Sequence, residues 1–141
     1  MDRLTAIRLA CANEFTLASL TKDLLCPESP LFRLFDEETA TIAADTAEAA
    51  KRLVEGSTPD KSPWFDLITR ILDQRDASWR LTESQQTLRS VLEALDLLAT
   101  HGPVSDRTIR AELFLENALY RFDYAGRKKL LVGNITLLLD N

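Results

Sequence analysis

The chain has 141 residues, 45% of them hydrophobic and 28% charged, the make-up of one globular domain and not of a disordered or fibrous segment. Its formal net charge of −5 creates an average field that repels phosphate backbones and anionic lipid surfaces, so either partner would need a local basic patch. No run approaches the roughly eighteen apolar residues of a membrane span.

Apart from Gly133, the glycines and prolines fall at the joints between long segments that each carry an apolar stripe of helical period, which predicts an all-α bundle of five or six helices over residues 1–141. The first helix is expected from Arg3 to Leu25, with Leu4, Ile7, Cys11, Phe15 and Ala18 on one face, and Pro27 stops it. Ser29 before Pro30 reads as an N-cap followed by a first-turn proline, so the second helix is expected from Pro30 to about Glu55, closed by Gly56. Within it Ala40, Ala43, Ala44, Ala47 and Ala50 recur three and four apart, a smooth strip that lets another helix come close.

Ser62 and Pro63 repeat the cap-plus-proline signal and open a third helix with Trp64, Phe65, Ile68, Ile71 and Leu72. Apolar density falls between Asp73 and Thr87, so two helices meeting near Ala77 to Leu81 are expected in place of one long one. Thr82 and Gln85 form a capping box for the second of these. That helix carries Leu88, Val91, Leu92, Leu95 and Leu98 and ends at His101, Gly102 and Pro103. Ser105 then caps a helix that makes a broad apolar surface from Ile109, Leu113, Phe114, Leu115, Ala118, Leu119 and Phe122 and ends near Gly126. From Arg127 to Asn141 the pattern suits either a helix or one face of a strand. Helix is preferred because the chain offers no second strand for it to pair with.

Site chemistry is sparse. His101 is the only histidine and sits at a helix end, where it serves as a cap or dipole partner. Cys11 and Cys26 with His101 fall one ligand short of a zinc site, phosphate-cradling glycine loops are absent, and no cofactor is expected. The two cysteines read as reduced thiols of a cytoplasmic protein. On one continuous helix they would lie about 22 Å apart, too far for a disulfide.

Three groups remain. Glu112 and Glu116, with Glu37, Glu38, Asp45 and Glu48 of the second helix, could hold magnesium for a hydrolase if facing helices brought them together. Spread over a solvated face, they would do no chemistry. Arg107, Arg110, Arg121, Arg127, Lys128 and Lys129, interleaved with Tyr120, Phe122 and Tyr124, form the one stretch with material for nucleic-acid contact; cations near a helix C-terminus are also explained by the dipole. Trp79, at a polar junction, and the apolar terminal residues Leu131, Ile135 and Leu138 are candidates for binding another protein or a second copy of the chain. The terminal run also allows this to be the N-terminal domain of a longer protein. The function expected is therefore non-enzymatic: a cytoplasmic interaction module, acting as an adaptor, an assembly subunit or an inhibitor of a basic partner. A nucleic-acid-coating subunit and a magnesium-dependent hydrolase are the rivals.

Overall fold

The structure is a computed structural model that describes residues 3–29, 32, 35–57, 63–75, 80–101 and 105–124. The described residues form six helices, α1 (Arg3–Ala10), α2 (Glu14–Leu25), α3 (Glu37–Val54), α4 (Pro63–Asp73), α5 (Glu83–His101) and α6 (Ser105–Tyr124). No strand occurs among them, so the predicted helical bundle is the fold.

Two expected boundaries are wrong. The helix expected from Arg3 to Leu25 breaks at Asn13, whose backbone is extended (φ −160°, ψ 165°). Its side-chain oxygen accepts hydrogen bonds from the Thr16 backbone N–H at 2.8 Å and the Thr16 hydroxyl at 3.0 Å. Asparagine competes well for such N-terminal donors, so the chain starts a second helix there in place of extending the first. The helix expected from Pro30 instead begins at Glu37, where Asp36 Oδ1 accepts from the Thr39 backbone N–H at 2.8 Å. Ser29 is buried in the preceding turn and is not its cap.

Other termini follow their expected chemistry. Gly56 has φ +93°, its N–H bonds the Leu53 carbonyl, and the Ser57 N–H reaches back to the Arg52 carbonyl at 2.9 Å. This is a Schellman closure of α3, and it requires the left-handed conformation that glycine adopts without strain. Pro63 occupies the first position of α4, where its missing N–H costs nothing. The capping box of α5 is reciprocal: Gln85 Oε1 accepts from the Thr82 N–H at 2.9 Å, and Thr82 Oγ1 accepts from the Gln85 N–H at 3.2 Å.

Packing is most extensive between α5 and α6, a helical hairpin, and between α2 and α3. α4 bridges α3 and α5, while α1 leans on α2 and α6. A single core runs through these contacts, from Ile7 and Leu17 through Ile42 and Trp64 to Leu88, Leu92, Leu95 and Leu115. Part of the alanine strip enters it: Ala43 and Ala50 are fully buried and Ala47 nearly so, while Ala40 and Ala44 are half-buried. Buried Thr21 and Thr46 satisfy their hydroxyls within their own helices, on the Leu17 and Ile42 carbonyls at 2.8 and 2.7 Å. No described helix is long and apolar enough to cross a membrane.

Candidate interaction surface

Side chains two positions apart on a helix point in nearly opposite directions, and α6 uses both. Ala111, Leu115 and Ala118 are at most 3% exposed and form its inner face. Ile109 and Leu113, one turn apart, are 55% and 58% exposed on the outer face. The broad apolar surface expected for this helix is therefore two surfaces, only one of which serves the core. Leu4 and Phe15, expected on the buried stripe of the first helix, are also about half exposed, as is Phe65 beside the buried Trp64.

The outer stripe of α6 is flanked by Glu112 and Glu116 on one side and by exposed Arg110 on the other. Glu112 also marks where α1 meets α6. Its charge adds to burial, the larger cause, in raising the Cys11 thiol to about 12, so Cys11 is neutral and unreactive at physiological pH. Both cysteines are free thiols, and Cys26 Sγ donates to the Asp23 carbonyl at 3.6 Å. Where α2 begins, burial first and the Asp96 charge second raise the Glu14 carboxyl above its ordinary range.

Among the described residues no group of three histidine, cysteine or acidic side chains could hold a metal ion. The acids of α3 have local roles instead: Asp45 accepts from Arg70 of α4 at 2.7 Å, and Glu48 pairs with Arg52 at 3.5 Å. Arg107 is half-buried, its Nη1 enclosed and without a hydrogen-bond partner among the described residues, whereas Arg110 is exposed. Arg121 lies on the last turns of α6. Arg127, Lys128, Lys129, Trp79, Leu131, Ile135 and Leu138 lie outside the described residues, as does the choice between helix and strand after Arg127.

Two hollows were not foreseen in the sequence. One, of about 390 Å³, is lined by Asp36, Glu37 and Glu38 at the start of α3 with Gln74, Arg80, Thr82 and Gln85. The second is a cleft of about 560 Å³ between α5 and α6, lined by Arg80, Leu81, Gln86, Arg89, Ser90, Glu93, Phe114 and Asn117. The local signal for it is Arg-Leu before the α5 cap followed by Arg89 two turns on, a pattern that ordinary surface charge also produces. No known protein family, curated protein or solved structure matches this chain.

Proposed function

We propose that the protein is a non-enzymatic, cytoplasmic protein-interaction module whose partner docks on the outer face of α6. The observation that carries this reading is the exposure of Ile109 and Leu113 on a helix whose core duties are already met by Ala111, Leu115 and Ala118. Large aliphatic side chains a turn apart are the standard anchors of helix-to-helix docking. Their acidic flank, Glu112 and Glu116, together with the chain's net charge of −5, favours an amphipathic helix with basic edges as the occupant. The protein would then act as an adaptor, an assembly subunit or an inhibitor of a basic partner.

A photo-crosslinking amino acid placed at position 113 in the native host tests this directly, with position 41 on the exposed side of α3 as the control. The expected result is one discrete protein adduct from position 113, absent from position 41 and lost when Ile109→Glu is added. Equal labelling from both positions, or an adduct indifferent to Ile109→Glu, would refute it. An adduct of exactly twice the subunit mass would instead identify a second copy as the occupant.

A further inference from the structure

Independently of the α6 outer face, we infer that the cleft between α5 and α6 binds a monovalent organic carboxylate with an apolar body. Its volume of about 560 Å³ falls in the range of small-molecule sites. Its walls are fixed, because Leu81 and Phe114 are half-buried and packed against the core. Its floor is fixed as well: the Gln86 side-chain amide donates to the Leu81 carbonyl at 2.9 Å, and the Ser90 hydroxyl donates to the Gln86 carbonyl at 2.9 Å. The Ser90 hydroxyl is committed to backbone, so the groups able to meet an anion are the Arg80 and Arg89 guanidiniums, the Asn117 amide and the second N–H of the Gln86 amide.

The charge of the ligand follows from the lining. Arg89 engages Glu93 through Nε at 3.5 Å, and its terminal nitrogens form no ion pair among the described residues. Within the cleft lining two arginines stand against one glutamate, a surplus of one positive charge, with Arg80 on the wall shared with the acidic hollow of Asp36, Glu37 and Glu38. A single carboxylate balances this lining, and guanidinium forks match carboxylate oxygens in pairs. A phosphate dianion would overfill it and meet the repulsion of Glu93. The leucine and phenylalanine walls in turn require an apolar body next to the charged head, which phosphate lacks.

The test titrates the isotope-labelled full chain with phenylpropionate, phenylpropanol and inorganic phosphate at constant ionic strength, reading backbone amide shifts by NMR. Phenylpropionate is expected to shift the amides of Leu81, Gln86 to Ser90 and Phe114 to Asn117 together and saturably. Arg80→Gln and Arg89→Gln each weaken this about tenfold, the loss of one charge-assisted contact. Glu93→Gln tightens it and admits phosphate, a gain that an unfolded variant could not produce. Equal binding of phenylpropanol would overturn the carboxylate requirement, equal binding of phosphate to the unaltered chain would overturn the apolar one, and no saturable shift at these amides would overturn the site.

Discussion

α3 and α6 are helices of similar length in one bundle, and they dispose of their outer faces differently. α3 buries Thr39, Ile42, Ala43, Thr46, Ala47 and Ala50, and the side it turns to water is charged, with Asp45 and Glu48 each held by an arginine. α6 buries Ala111, Leu115 and Ala118 among the described side chains and sets two large aliphatic side chains in water. Scattered exposed apolar residues are normal on any protein. Ile109 and Leu113 recur at helical spacing opposite Ala111, Leu115 and Ala118, and the contrast with α3 shows that this bundle can dress a helix without such a pair. The proposed docking role of α6 rests on this exposed pair.

The contrast can be broken most forcefully from inside. Leu115→Ala removes a nearly fully buried side chain from the inner face of α6 and is expected to cost about 2–5 kcal/mol, read as a loss in chemical denaturation. A cost near zero would mean that α6 is not anchored by this face. Ala43→Leu pushes extra volume into the strip where α3 enters the core and should cost about 1–3 kcal/mol. An unchanged melting temperature would show that the strip has room to spare.

The outer pair should behave in the opposite manner. Ile109→Glu and Leu113→Glu are expected to alter stability by no more than about 0.5 kcal/mol, as surface changes do, while abolishing partner capture. A large loss of stability would return these residues to the fold. The smallest expected effect concerns Glu14. Its folded carboxyl is raised above the ordinary value of 4.5, so in the window from the folded value down to 4.5 the native state takes up the proton first, and stability from this group rises as pH falls. Glu14→Gln should remove that component and raise the melting temperature slightly at neutral pH. The difference between the two melting curves across that window isolates it from the other acids.

Much of the fold was legible wherever a hydrogen bond is encoded by residues a few positions apart. The Thr82 and Gln85 box, the Gly56 closure and the Pro63 start are all local chemistry, and each stands where expected. The break at Asn13 was hidden because Ile7, Cys11 and Ala18 keep one helical period across it, and all three are in fact buried. Periodicity reports which residues are covered, not whether one helix carries them. At the second boundary Ser29 and Asp36 both had capping chemistry, and the choice between them depended on packing that involves the whole chain.

For the surface, Ile109 and Leu113 were readable as apolar but not as outward. Bulk suggested that they faced the core, whereas close approach of α1 and α5 to α6 favours the small inner residues Ala111 and Ala118 and leaves the larger ones outside. The cleft was illegible for a similar reason. Arg80 and Leu81 precede α5 while Phe114 and Asn117 belong to α6, so only the hairpin brings them together.

The interruption at Asn13 also bears on the order in which the molecule can assemble. Because the chain turns there, α1 can lean on α6 as well as on α2, and bringing Cys11 within reach of the Glu112 charge closes a loop of roughly a hundred residues. Closing such a loop costs about 2 kcal/mol more chain entropy than closing one of roughly ten residues, the scale of the α5/α6 turn. The hairpin is thus a local event and the docking of α1 a distant one, offset by what Ile7, Ala10 and Cys11 bury. The first helix in the chain is in this sense the last to be secured, and amide hydrogen exchange in Arg3–Ala10 should run ahead of that in α5.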